Sequence, residues 1–262
     1  MNAIILAAGL GSRLGSYTKE KPKAMIEFAD QTLLERLIKK FQKCGITDIT
    51  IVTGYKSEKI DFQDINYIKN ELFLETSTLE SLFCAKEKIR ESTIISYSDI
   101  IFEDHVLRKI MDSEDDISIV VDRKWLRYWD KRTGESTMKA TESVHYNNEE
   151  FVSSVGQSIK DLKEANGHFI GLMKVKNVGS KVFLEFAEKQ INEQKNILKL
   201  DPELRLEKLR IVDVLQNIIN SKKEIRAILI DNGWLEFDTI SDLELYNNLK
   251  DNNTLSEFIS LD

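Results

Sequence analysis

The sequence predicts an α/β fold: a mixed, mostly parallel sheet flanked by helices, within a single domain spanning residues 1–262. Short apolar, β-branched runs recur along the chain, and several end in Gly or Asp, as strands buried on both faces do. A stretch with helical spacing separates the first of these runs from the next, making a βαβ unit whose strands should be parallel. Between residues 123 and 167 the pattern changes to short hydrophilic stretches around an aromatic cluster, read as a small mixed subdomain over the sheet edge.

The first strand is the apolar run from Ala3 to Ala8, including Leu6. It ends at Gly9-Leu10-Gly11-Ser12-Arg13-Leu14. Glycine there lets the backbone turn and lets a ligand approach the main chain. Such a loop, at the carboxyl end of a first strand, presents N–H groups to a phosphate. Arg13 and Lys21-Pro22-Lys23 place cations beside it. No Gly-Lys follows, so the P-loop pattern is not met. The sixth position of a dinucleotide-binding loop is Leu14, with glycine one residue later at Gly15, so the glycines alone leave a variant of that loop open.

Leu33, Leu34, Leu37, Ile38 and Phe41 give helical spacing from Thr32 to Cys44, with Gly45 as a stop. Ile49 to Thr53 and Ile65 to Ile68 read as strands. Thr76-Ser77-Thr78 opens a helix, and Ser77 and Glu80 have capping-box spacing. The hydroxyls there could cap the helix, face a nucleoside, or do both. Thr93 to Asp99, which includes Tyr97, and Ile117 to Asp122 are buried strands ending in acids, with a helix from Val106 to Met111 between them. Both acids would sit at the carboxyl edge of the sheet, where open α/β sheets bind ligands. Phe169 to Val175 is a strand, Val178 to Lys195 and Val212 to Ser221 are helices, and Ile225 to Ile230 is a strand. In Trp234-Leu235-Glu236-Phe237-Asp238 the alternation places Glu236 and Asp238 on one face. A last helix runs from Ser241 to Lys250.

Composition excludes several classes. The chain is 42% hydrophobic and 31% charged, an ordinary globular balance. Its net charge of −7 lacks the basic face a nucleic-acid partner needs, yet a few local cations suffice for a nucleotide. No apolar run is long enough to span a bilayer, and no basic region precedes the first strand, so neither a membrane nor a secretory signal is expected and the protein reads as cytoplasmic. Cys44 and Cys84 are isolated and are expected to be reduced, buried and structural. His105, His145 and His168 have no metal-ligand spacing, so no zinc site is expected. Mg²⁺ is different, because it takes one or two carboxylates plus substrate phosphates. Asp99 is the first candidate ligand and Asp238 the second, unless Asp238 only caps the following helix.

The string from Leu6 to Leu14, with Lys21-Pro22-Lys23 downstream, resembles the signature of nucleotidyltransferases that join a nucleoside triphosphate to a phosphorylated acceptor. Over nearly the whole chain the order of features resembles the sugar-nucleotidyltransferase-like superfamily, with its Rossmann-like sheet. Ser81 to Ala85, Tyr97 to Ile100, Val120 to Trp125, Phe169 to Leu172 and Trp234 to Asp238 look most like the bacterial phosphocholine, 2-aminoethylphosphonate and phosphoglutamine cytidylyltransferases.

That resemblance implies transfer of CMP from CTP to a small phosphate or phosphonate, with Mg²⁺ and loss of pyrophosphate. Leu6, Ala8, Gly9, Gly11, Ser12, Arg13 and Lys23 would surround the triphosphate, with Arg13 and Lys23 stabilising the reaction. Ser77, Ser81, Tyr97 and Asp99 would approach the nucleotide, and Asp99 and Asp238 would ligate Mg²⁺. Asp122, Trp125, Trp129, Lys139, His168 and Glu236 would face the acceptor. Trp125, Tyr128 and Trp129 could form a cage for an acceptor ammonium, or be ordinary core. The chain departs from the pattern at His168, where relatives carry an acid, and at Ser77 or Thr78, where they often carry Asn. A sugar-1-phosphate nucleotidyltransferase and a non-catalytic nucleotide-binding module are the alternatives, and a homo-oligomer is compatible with each.

Overall fold

The computed structural model describes residues 1–132, 142–157, 159, 161–201, 204 and 208–261. Lys139, proposed above to face the acceptor, lies outside them. Among the described residues the main sheet has nine strands. Its parallel half is β1 (Asn2–Ala7), β4 (Ile49–Thr53), β5 (Asn66–Lys69) and β6 (Ser92–Tyr97). β1 lies between β4 and β6, and β5 forms the edge beyond β4. The long β11 (Gly167–Lys176) runs antiparallel to β6 on one side and to β8 (Ile117–Asp122) on the other. β12 (Arg226–Ile230) lies parallel to β8. Within 123–167, β9 (Ser143–Tyr146) and β10 (Val152–Val155) continue this same sheet through the start of β11.

Two short pairings complete the set. β2 (Glu27–Phe28) pairs with β3 (Gln31–Thr32). β7 (Ile100–Phe102) pairs antiparallel with β13 (Trp234–Glu236). The second of these joins two distant parts of the chain and positions the site.

The sheet divides two cores, and the division follows from the period of two along a strand. Ala3, Ile5 and Ala7 of β1 enter one core, while Ile4 and Leu6 enter the other. The first core packs under α1 (Leu33–Lys43), α3 (Asp104–Met111), α4 (Trp125–Arg132) and α7 (Ile240–Asp251). The second packs under α2 (Thr78–Cys84), α5 (Asn177–Leu200) and α6 (Ile211–Asn220). The apolar stripe of α1 is buried as its spacing predicts, and Thr32 caps it by accepting from the Glu35 amide. The capping box of Ser77 and Glu80 opens α2.

Two expectations need correction, and one alternative falls away. Cys84 is exposed and Cys44 only half-buried, although both are free thiols. The aromatic cluster belongs to α4, whose residues 125, 128 and 129 fall on one helical face and are buried. Asp238 does not cap α7; Thr239 does, with Asp242 completing the capping box. Among the described residues no helix is long and apolar enough to cross a membrane.

Candidate active site

A cavity of about 910 Å³ opens at the carboxyl ends of β1 and β6. Leu6, Ala8, Gly9, Arg13, Lys23, Ser77, Ser81, Tyr97, Asp99 and Asp238 line one part of it, and Trp129, His168 and Glu236 another. Gly11 and Ser12 lie outside its wall. Gly11 nevertheless matters. Its φ is +65°, and a Cβ added there would lie 2.8 Å from Cβ of Lys23. Glycine therefore lets the Lys23 stem pass beneath the loop. Thr18 fixes the turn by donating its hydroxyl to the Gly11 carbonyl at 3.0 Å.

Lys23 Nζ lies between two acids, donating to Asp99 Oδ2 at 2.6 Å and to Asp238 Oδ1 at 2.8 Å. Arg13 Nη1 approaches the other oxygen of Asp238 at 2.5 Å. Residues 76 and 215 positions apart from Lys23 are thus brought together. The β7–β13 pairing does this, because Asp99 directly precedes β7, Asp238 follows just after β13, and the Phe237 amide donates to the Asp99 carbonyl at 2.8 Å. Burial alone would lower the pKa of Lys23, but Asp99 and Asp238 outweigh it and raise it above its ordinary value. Lys23 is thus a fixed positive charge.

On the opposite wall Ser81 donates to the Ser77 carbonyl at 2.9 Å and accepts from Asn70 at 3.0 Å, which orients the start of α2 toward the cavity. Lys208 and Arg210 also line it, with Lys208 donating to the Leu74 and Thr76 carbonyls. The sequence reading named neither, because no motif surrounds them.

The remaining end is acidic and aromatic. Arg132, at the C-terminal end of α4, donates two hydrogen bonds to Asp242, at 2.8 and 2.9 Å, and one to Glu236 at 2.6 Å. Its guanidinium lies 4.7 Å above the Trp129 ring and 5.3 Å from the Tyr128 ring. His168 stacks between Trp125 and Trp234, at 5.6 and 5.7 Å, and its Nε2 lies 3.9 Å from Glu142. Burial and the nearby Arg132 charge lower the His168 pKa to about 3, so the ring is neutral. Burial, with Glu236 and Asp99 adding to it, raises Glu142 well above the ordinary carboxylate range. Burial also raises Glu236, against the pull of Arg132.

Two assigned acceptor residues are structural instead. Asp122 is fully buried at the end of β8, and accepts hydrogen bonds from the Lys124 and Asn232 amides and from the Trp234 indole. Trp125 is also fully buried, behind His168, and does not line the cavity. Tyr128 is occupied too, accepting from the Glu236 amide and hydrogen-bonded to the Tyr246 hydroxyl. The ammonium cage in its expected form is therefore absent among the described residues. The helical face that carries these rings continues to Arg132, seven residues after Trp125, so the spacing alone could have exposed that residue. Glu142 has no such local signal.

Residues 3–155 match the MobA-like NTP transferase domain. The chain belongs to this family. It is 30% identical over 261 residues, covering 94% of its own length and 98% of the relative, to the CTP:phosphoglutamine cytidylyltransferase of Campylobacter jejuni. A shorter match, 35% identical and covering 39% of the chain and 47% of the relative, is to the choline-phosphate cytidylyltransferase of Streptococcus pneumoniae. The solved CTP:phosphocholine cytidylyltransferase of Streptococcus pneumoniae superposes with a TM-score of 0.71 over 96% of this chain and 98% of that one, at 18% identity. That likeness bears on the fold, and bears out the mostly parallel sheet flanked by helices. The chain is a nucleotidyltransferase, similar over nearly its whole length to a cytidylyltransferase.

Proposed function

We propose that the protein transfers CMP from CTP to a small non-sugar phosphate or phosphonate, releasing pyrophosphate. The observation that carries this is the cluster of Lys23, Asp99, Asp238 and Arg13 inside a cavity whose far end is lined by polar and aromatic side chains. A binding module would need the cations, but not two converging carboxylates beside them. The relatives named for phosphoglutamine, choline-phosphate and 2-aminoethylphosphonate support the acceptor class.

The acceptor oxygen forms a bond to the α-phosphorus as the bond from that phosphorus to pyrophosphate breaks. No side chain need act as nucleophile. Lys23 holds its proton between two carboxylates and offers a preoriented charge to the phosphates, which is worth more in a desolvated site than in water. Arg13 is mostly exposed and can follow the leaving pyrophosphate at the cavity mouth. The Asp99 and Asp238 carboxylates suit Mg²⁺, and Asp99 Oδ1 is buried without a hydrogen-bond partner among the described residues. Those two residues would hold the ion together with phosphate oxygens, and the ion would offset the negative charge on them.

The test is pyrophosphate release measured for each of the four ribonucleoside triphosphates against phosphoglutamine, 2-aminoethylphosphonate, phosphocholine and sugar-1-phosphates. Turnover confined to CTP with a non-sugar acceptor is expected. A sugar phosphate as the best acceptor, or tight CTP binding with no turnover at all, would overturn the reading.

A further inference from the structure

Apart from the charged cluster, the cavity wall includes Leu6, Phe73, Thr76, Ser77 and Ser81. Apolar surface beside a few hydroxyls suits a flat base more than a phosphate. Asn70 stands behind this wall. It follows β5, is only 3% exposed and does not itself line the cavity. Its backbone amide donates to the Thr53 carbonyl at 2.8 Å, which ties it to the end of β4. Its side chain makes three hydrogen bonds. Oδ1 accepts from the Leu72 amide at 3.0 Å, while Nδ2 donates to Thr76 Oγ1 at 2.7 Å and to Ser81 Oγ at 3.0 Å. A backbone N–H can only donate, so the Leu72 amide settles which way the Asn70 side chain is turned.

The protons of the two hydroxyls are settled in the same way. Thr76 Oγ1 donates to the Leu72 carbonyl at 2.8 Å, and Ser81 Oγ donates to the Ser77 carbonyl at 2.9 Å. A carbonyl can only accept, and two oxygens at that distance need the proton between them. Each hydroxyl therefore receives from Asn70 and gives to the backbone. What each can turn to the cavity is an oxygen lone pair. The donors of the same wall are separate groups, the Ser77 hydroxyl and the Lys208 ammonium.

We propose that Asn70 is a positioning residue for base selection: by directing Thr76 and Ser81, it presents acceptors to the 4-position of the pyrimidine. This rests on the cytidylyl-transfer reading above and adds the residue that enforces its choice of base. Cytosine carries a donating amine at that position, and uracil an accepting oxygen. Uracil would set a lone pair against a lone pair, where neither hydroxyl can turn its proton outward without abandoning a carbonyl. Asn70 acts through the two hydroxyls and not by contact with the nucleotide.

The experiment measures kcat/KM for CTP and for UTP with the best acceptor of the panel above. The wild-type protein should prefer CTP by at least about 100-fold. Asn70→Leu keeps the volume but releases both hydroxyls, and the CTP to UTP ratio should fall by about tenfold. KM for the acceptor should stay unchanged, a split that general loosening of the fold would not produce. Ser81→Ala removes one of the proposed acceptors without touching Asn70 and should lower the ratio as well, so the inference is testable even if Asn70→Leu does not fold. A wild-type protein that takes UTP as readily as CTP overturns the inference. So does a folded Asn70→Leu variant, or a Ser81→Ala variant, with the wild-type ratio. Turnover with none of the acceptors would remove the transfer reading; calorimetric binding of CTP against UTP, in the wild-type protein and both variants, then decides the role of Asn70 by the same ratios.

Discussion

The two ends of the cavity satisfy buried charge differently. At the nucleotide end, Lys23 and Arg13 meet Asp99 and Asp238, so cations and acids balance before any ligand arrives. At the far end Glu236 and Asp242 share the Arg132 guanidinium, and Arg210 acts on Glu142. The balanced end suits a reaction in which highly charged phosphates and an ion enter together. The same residue type thus meets different neighbours at the two ends: cations in direct contact at one, and burial beside a guanidinium at the other.

The strongest way to break this comparison is at the balanced end. Asp99→Asn removes a carboxylate from Lys23 and from the proposed Mg²⁺ site, and should reduce kcat by about 100- to 1,000-fold. Pyrophosphate release titrated against Mg²⁺ checks it. Full turnover with an unchanged Mg²⁺ requirement would remove Asp99 from the chemistry.

Asp122 sharpens the contrast, because it also ends a buried strand yet does not line the cavity. Asp122→Asn keeps an oxygen for the Lys124 and Asn232 amides, but turns an N–H toward the Trp234 indole or loses one of the amides. The expected loss is about 1–3 kcal/mol of stability, read from the urea midpoint, with acceptor KM unchanged. A raised KM without loss of stability would return Asp122 to the site.

Why Asp99 and Asp122 differ was not legible in the sequence. Both follow four or more apolar or β-branched residues, and period-two patterning cannot say what lies beyond a strand end. The β7–β13 pairing decides it, since it draws Asp99 and Asp238 together and places Trp234 over Asp122. What was legible rests on local chemistry: the buried runs that became β1, β4, β6 and β8, the stripe of α1, the Ser77 box, and the loop with Lys23. At the acceptor end, the rings of α4 drew notice as a ligand cage, whereas Arg132 at the same helical spacing fills them. Glu142 comes from a segment joined to the site only by tertiary packing, beside His168 and across from Glu236.

The neutral His168 gives a smaller effect with a definite sign. Its pKa falls to about 3 in the folded state, below its value of about 6.5 in an unfolded chain. Between those values the unfolded chain binds the extra proton, so stability is complete above the unfolded pKa and is lost as pH falls through this window. Glu142 and Glu236 have raised values and contribute in the opposite direction, so a variant must isolate the histidine. His168→Phe keeps a ring between Trp125 and Trp234. Lowering the pH from about 7 to about 5 should cost the wild-type protein more thermal stability than this variant. Parallel curves would mean that His168 is charged in the folded state.

The smallest test concerns Ser77, which both caps a helix and lines the cavity. Its Oγ accepts from the Glu80 amide, its own amide is held by the Glu80 carboxylate, and the residue lines the nucleotide wall. Ser77→Ala should cost about 1 kcal/mol through the lost cap. Ser77→Asp restores a cap of similar quality but adds negative charge facing the phosphates. If Ser77 only caps α2, the alanine variant loses stability and keeps its KM for CTP, while the aspartate variant recovers stability and binds CTP less well through charge alone. If the hydroxyl also contacts the nucleotide, the alanine variant raises KM for CTP as well, and thermal denaturation with and without CTP separates the two losses. At the balanced end even a helix cap is then coupled to the phosphates, because the helix start it fixes forms one wall of their site.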